Sequence, residues 1–170
     1  NGPDNLHAAP YLKELYEAEA SRSFHNERGF CPFDAVAVNL YAWDKPPSQF
    51  LEQALKDNIL GVMERYGHGH KPIYITEAGW DVDPASPTTM GPDLDANERN
   101  QALWIAQLYD LAGQMKRSDG SPLVTTVCVY CYSAPGGFGL REFGSQRERP
   151  SYDAYRRAAE KLGAISSQIH

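Results

Sequence analysis

Apolar positions along the chain alternate between stretches with a period of about 3.6 and short unbroken runs, the marks of amphipathic helices and buried strands. Between Pro10 and Phe24, residues Tyr11, Leu12, Leu15 and Tyr16 fall on one helical face, and Pro10 is tolerated in the first turn. After a Gly29-Phe30-Cys31-Pro32 break, Phe33 to Tyr41 is a short apolar run that predicts a strand. Pro46, Pro47 and Ser48 supply a loop, with Ser48 as a cap. Leu51, Leu55, Ile59, Val62, Met63 and Tyr66 then keep a helical period until Gly67 stops it. The alternation repeats with a strand over Lys71 to Glu77 and a Pro-, Gly- and Asp-rich loop from Gly79 to Asp95. A helix from Asp95 to Arg117 follows, capped by Asp95 with Glu98 three residues on, close to a capping box. Val124 to Tyr132 is a β-branched and aromatic run that predicts a strand. A loop containing Gly136, Gly137, Gly139 and Gly144 leads to a last helix from Ser151, with Tyr152, Tyr155, Ala159 and Leu162 on one face.

A helix followed by three strand-helix units predicts parallel strands buried on both faces, hence an α/β architecture. Two arrangements satisfy this order: an open doubly wound sheet, or part of a (β/α)8 barrel. In both, chemistry gathers where the strands end. The connections after the strands, roughly residues 42–48, 78–95 and 133–150, are longer than ordinary links and share one rim.

Composition narrows the partners. The chain has 170 residues, a single domain's length, with 16 Lys+Arg against 22 Asp+Glu and a net charge of −6. No cluster of Lys and Arg tracks phosphates and no apolar run is long enough to span a bilayer, so nucleic acid and membrane are poor partners and a neutral polar substrate fits better. The Asn1-Gly2-Pro3-Asp4 start lacks an initiator Met and a leader pattern, which reads as a piece of something longer. Cys128 and Cys131 form a C-x-x-C inside a strand, where side chains three apart face opposite ways. With Cys31 they read as inert buried thiols. His68 and His70, with Lys71, read as a solvated turn on the rim opposite the long loops, and two His without a third ligand predict no metal site. Asp81, Asp83, Asp93 and Asp95 lack calcium-loop spacing and read as a solvated loop face. Arg141 and Glu142 are adjacent on the last rim loop, a salt bridge by default, with substrate contact as the other reading.

The sharpest feature is Ile75-Thr76-Glu77-Ala78-Gly79-Trp80. A carboxylate ends a buried strand and a Trp follows, which packing explains poorly because buried carboxylates need partners. Pairing with an Arg at a solvated strand end is the plainer alternative. The segment from Pro72 to Trp80 resembles the seventh barrel strand of clan A glycoside hydrolases, in which a Thr-Glu pair ends the strand and the Glu is the nucleophile. Phe33 to Tyr41 resembles the sixth strand, whose terminal Tyr hydrogen-bonds that Glu. Phe138 to Gly144, followed by Arg149 to Tyr155, resembles the ending of these barrels.

The resemblance implies a fragment comprising about strands six to eight of a retaining glycosidase, residues 1–170 forming one partial barrel domain. It implies Glu77 as nucleophile and Tyr41 as its orienting partner, with no cofactor. Trp80 and Tyr132 become candidate sugar platforms, and Trp43, Asn39, Asp44 and Arg141 candidate substrate contacts. The chemistry is coherent, because a retaining glycosidase uses two carboxylates about 5–5.5 Å apart. A phenol donating to one of them favours its charged form. The sequence departs from the clan in having Asn39 where many members carry His, and Tyr130 or Tyr132 where a Trp ends the eighth strand. The clan's acid/base, a Glu after an Asn ending the fourth strand, has no counterpart: Asn26-Glu27 follows a helix, Asn97-Glu98 lies in a helix cap, and both read as structural. The expected partners are therefore a carbohydrate and the missing N-terminal part of the barrel, a second chain, or a second copy. Three strands alone would expose an apolar inner face and two edges. The rival reading is a non-catalytic carbohydrate-binding or scaffold module. A nucleotide enzyme finds little support, since no Gly-rich phosphate loop follows a strand. Analogy with polymer degradation implies a secreted or periplasmic location, while the cysteines are equally compatible with a cytoplasmic one.

Overall fold

The computed structural model describes residues 8–29 and 31–166, so the readings of the Asn1 to Asp4 terminus and of Phe30 fall outside the described residues. Helices α1 (Ala8–Glu17) and α2 (Glu19–Arg28) are followed by strand β1 (Val36–Leu40). The predicted single helix from Pro10 divides at Ala18, whose ψ of 138° breaks the ladder, and α2 ends on Gly29 in the left-handed conformation. A 3-10 turn (Pro47–Gln49) and a π-helical stretch (Gln53–Leu60) lead into helix α3 (Gly61–Arg65). Ser48 lies inside the 3-10 turn and does not cap; Pro46 and Pro47 open that turn instead. Gly67, at φ 76°, ends the helical run as its sequence position predicts. Strand β2 (Ile73–Ala78), helix α4 (Leu94–Gln114), strand β3 (Val124–Val129) and helix α5 (Pro150–Ser166) complete the order.

The three strands form one parallel sheet in the order β1-β2-β3. One face is packed: Val36, Val38, Leu40, Ile73 and Ile75 join Leu51, Leu55, Met63, Ile105 and Leu108 from the helical segments in a single core. The other face is open, with Ala37, Asn39, Tyr74, Thr76, Thr126 and Cys128 exposed. The strands are thus not buried on both faces, and the open face is mostly small and polar rather than apolar. Cys128 is exposed there and Cys131 is half-buried, so only Cys31 is a buried thiol as expected.

Two helix boundaries differ from the sequence pattern. Asp93, not Asp95, caps α4, its Oδ1 accepting from Ala96 N at 3.0 Å. The helix stops at Gln114 because Met115 turns extended, and Arg117 instead donates to the carbonyls of Gly69, Lys71 and Pro122, tying together the turns before β2 and β3. On α5 the buried positions are Ser151 and Ala154, while Ala159 is exposed and the Leu162 side chain lies outside those described. Among the described residues no helix is long and apolar enough to cross a membrane.

Candidate active site

Strict alternation places Glu77 on the packed face with Ile73 and Ile75. The register of β1 against β2 slips at this point: Val38 pairs with Ile75 but Asn39 pairs with Glu77, and β2 slips against β3 between Ile75 and Ala78. This is a β-bulge, a device that re-aims side chains. Glu77 is thereby brought to Tyr41, one residue past the end of β1, whose Oη donates to Glu77 Oε2 at 2.7 Å. Burial, and then the hydrogen bond to Glu77 and its charge, push the Tyr41 phenol above its ordinary value, so it stays protonated and donates at any ordinary pH. The Arg partner of the plainer alternative is not what Glu77 finds.

Beside this pair, Thr76 Oγ1 lies 2.9 Å from Asn39 Oδ1 and 3.3 Å from the Val38 carbonyl, which locks the floor of the site. Trp43 adopts a left-handed φ of 45° and stacks over Tyr41 at 5.9 Å. Such a conformation in a bulky residue is rare and persists only where its surroundings hold it. Phe138 meets Tyr41 edge-on at 5.7 Å and Tyr130 does so at 6.3 Å. Tyr41, and with it Glu77, therefore lies against an aromatic wall made by the first and third rim loops and the end of β3. The Tyr130–Cys131 peptide is cis, and burial raises the Cys131 thiol despite Arg149 nearby.

The structure brings together Glu77, Tyr41, Trp43 and Asn39 and separates the others. Trp80 is fully buried, its Nε1 donates to the Lys45 carbonyl at 3.0 Å, and it packs edge-on against Trp104 at 5.7 Å. It joins the first two rim loops and offers no face to a sugar. Tyr132 is half exposed in a second cluster, 5.9 Å from Tyr152, with the Arg141 guanidinium 6.0 Å over its ring. Arg141 does not pair with Glu142: its Nε donates to the Ser145 carbonyl at 2.8 Å, and Glu142 bonds Ser145 and Arg147. Asp44 is exposed on the first loop.

Asp81 is buried and structural rather than solvated, accepting from Asp83 N and from Thr88 Oγ1. Among the described residues no group of three or more His, Cys, Asp or Glu is placed to hold a metal ion. Asn97 and Glu98 are structural, as their setting predicts: Asn97 Nδ2 donates to the carbonyls of Val82 and Gly91, and Glu98 pairs with Arg147 at 2.6 Å and Arg149 at 3.1 Å. Burial alone would raise the Glu98 carboxyl, but the two guanidinium groups outweigh it and hold it below the usual carboxylate range.

Two residues of the site, Phe138 and Gln101, carry no mark in the sequence. Phe138 opens the segment that resembles the barrel ending, and nothing local marks it as a neighbour of Tyr41. Gln101, fully buried on α4, donates from Nε2 toward the carbonyls of Trp80 at 2.8 Å, Phe138 at 3.2 Å and Gly137 at 3.3 Å. It clamps the second and third rim loops together, and Gly137 permits the approach because a Cβ there would overlap Asp81 Oδ1.

No family model and no curated protein matches the chain. Among solved structures, native xylanase 10B from Thermotoga maritima is similar, with a TM-score of 0.53 and 17% sequence identity over 91% of this chain. The match spans 42% of the xylanase chain. At that identity the likeness concerns the fold alone: a three-stranded parallel sheet with its helices, similar to part of a TIM-type barrel.

Proposed function

We propose that this chain is the C-terminal part of a retaining glycoside hydrolase, corresponding to about strands six to eight of its barrel, with Glu77 as the nucleophile and Tyr41 as the residue that orients it. The observation that carries this reading is the 2.7 Å hydrogen bond from Tyr41 to a bulged carboxylate at the C-terminal rim of a parallel sheet. Chemistry sits at that rim in barrels of this kind. In the proposed reaction a Glu77 oxygen attacks the anomeric carbon while a second carboxyl group protonates the departing oxygen. Water then releases the sugar from the glycosyl-enzyme with the same group acting as base. Tyr41 holds one Glu77 oxygen so that the other faces the sugar. Trp43, Tyr130 and Phe138 exclude water around it, and Asn39, Asp44, Tyr132 and Arg141 are within the rim that would meet the remaining sugar units.

The acid/base belongs to residues outside this chain, supplied by an N-terminal barrel part or a second chain. The open face of the sheet and the edge of β1, bordered by an apolar groove that includes Tyr11, Leu15, Phe33 and Ala37, are where that part would dock. A fluorosugar that traps glycosyl-enzymes, applied to the complete protein, is expected to label Glu77. Labelling elsewhere together with full activity in Glu77→Gln would overturn the assignment. Sugar binding without turnover, with every natural partner chain present, would support a non-catalytic carbohydrate-binding module instead.

A further inference from the structure

Tyr41 stands one residue past the end of β1, beyond the ladder that fixes the direction of Leu40 and the residues before it. A side chain at such a place keeps its aim only when something outside the strand holds it. The bond to Glu77 ties the tip of the phenol. The ring behind that tip is held by its neighbours, and one of them is placed there by an unusual backbone.

Residues Ala42 to Lys45 make a tight turn, closed by Lys45 N donating to the Ala42 carbonyl at 2.8 Å. Trp43 is the first central residue of that turn, with its φ of 45°. A positive φ at this position belongs to the mirror-image turns, where glycine, asparagine and aspartate dominate because a larger side chain crowds the backbone. The other positive-φ positions among the described residues, Gly29, Gly67, Gly120, Gly136 and Gly144, are all glycine. The next rim loop pins the turn from below, since the buried Trp80 donates from Nε1 to the Lys45 carbonyl.

Local conformation therefore asks for glycine at position 43, and the chain carries tryptophan. Packing of the main core does not explain the choice. The Trp43 side chain is half-buried, and among the described residues its ring contacts are Tyr41 and Phe138, neither of which belongs to the core cluster. Trp43 lies nearly parallel to Tyr41, at an interplanar angle of 20°, whereas Phe138 and Tyr130 meet Tyr41 edge-on at 88° and 79°. Taking away the stacked ring uncovers a face of Tyr41 and gives the phenol room to swing off Glu77. Strain of this kind persists where the surrounding structure over-determines it, and it gathers at functional sites.

We propose that Trp43 is a positioning residue: the strained turn holds its ring over Tyr41, and that ring holds the Tyr41 phenol on Glu77. Its effect on the reaction rests on the reading of Glu77 as the nucleophile, but its grip on Tyr41 does not. Two variants of the complete protein test it. Trp43→Gly removes the ring and relieves the backbone, and Trp43→Phe keeps a ring over Tyr41. Exchange of the Tyr41 hydroxyl proton, read by NMR on protein carrying isotope-labelled tyrosine, is expected to quicken about tenfold or more in Trp43→Gly and to slow again in Trp43→Phe. The melting temperature of Trp43→Gly should stay within about 4 °C of the parent, because relief of the positive φ offsets the lost ring contacts. With a chromogenic glycoside, kcat should fall about tenfold in Trp43→Gly while KM moves less than about threefold, and Trp43→Phe should regain most of the loss. Added to Tyr41→Phe, Trp43→Gly should cost nothing further, since both act through one hydrogen bond. Unchanged hydroxyl exchange in Trp43→Gly, a loss confined to KM, or losses that add in the double variant would overturn the proposal. Fluorosugar labelling away from Glu77, with the hydroxyl exchange still answering to Trp43, would sink the glycosidase reading and leave the grip on Tyr41 standing.

Discussion

Tyr41 and Glu77 come from the ends of neighbouring strands 36 residues apart in sequence, and their contact depends on a single irregularity in β2. Because the Tyr41 phenol stays protonated, it supplies a hydrogen bond to a carboxylate, a class of contact worth about 1.5–3 kcal/mol. Tyr41→Phe in the complete protein is therefore expected to lower kcat/KM for a glycoside about ten- to a hundredfold while leaving the fold intact. Steady-state kinetics with a chromogenic glycoside checks this, and an unchanged rate would remove Tyr41 from the mechanism. Glu77 is legible in the sequence, since it ends an apolar run with a carboxylate that packing does not require, whereas Tyr41 is singled out only by the family resemblance. Trp80 is a different case. Its position after Glu77 points to the rim, but direction cannot be read from position, and the bond to Lys45 turns it inward.

At the level of elements, α4 is the strut on which the rim loops hang. Gln101 Nε2 reaches the carbonyls of Trp80, Phe138 and Gly137, the last also accepting from Val82 N, so Gln101→Leu is expected to cost about 2 kcal/mol and to raise amide exchange around Trp80 and Phe138. Hydrogen exchange read by mass spectrometry would show it, and exchange confined to α4 itself would contradict the clamp. Glu98, lower on the same helix, anchors the last rim loop through Arg147 and Arg149. Its carboxyl is depressed in the folded state, so its stabilisation is present above the unfolded value near 4.5 and is lost as pH falls through the lower folded one. Melting temperatures should fall between neutral pH and about pH 3, and Glu98→Gln should flatten that limb while costing about 3 kcal/mol at neutral pH. The helix order was visible in the periodicity. The caps were not, because Asp93 and Asp95 are equivalent by composition and only backbone direction chooses between them.

For the whole molecule, the deciding feature is a sheet covered on one face only. The edges of β1 and β3 and the open face are the surfaces that parallel strands ordinarily bury. This chain on its own is expected to associate with increasing concentration, and Ala37→Lys, on the open face of β1, to shift it toward monomer. Sedimentation velocity distinguishes the two states. A monomer at all concentrations would count against docking of a further part on this face.

The order of strands and helices, the parallel sheet and the carboxylate of Glu77 at its rim followed from the sequence alone, because periodicity and the ends of apolar runs are local properties of a chain. What the tertiary structure decided is everything that depends on direction and on distant neighbours. The bulge turned Glu77 out of the core, and rim packing took Trp80 in and brought Phe138 and Tyr130 onto Tyr41. The stack on Tyr16 left its Oη buried without a hydrogen-bond partner among the described residues. Those outcomes rest on contacts between segments tens of residues apart, where side-chain direction is set by register and packing rather than by the identity of the residue.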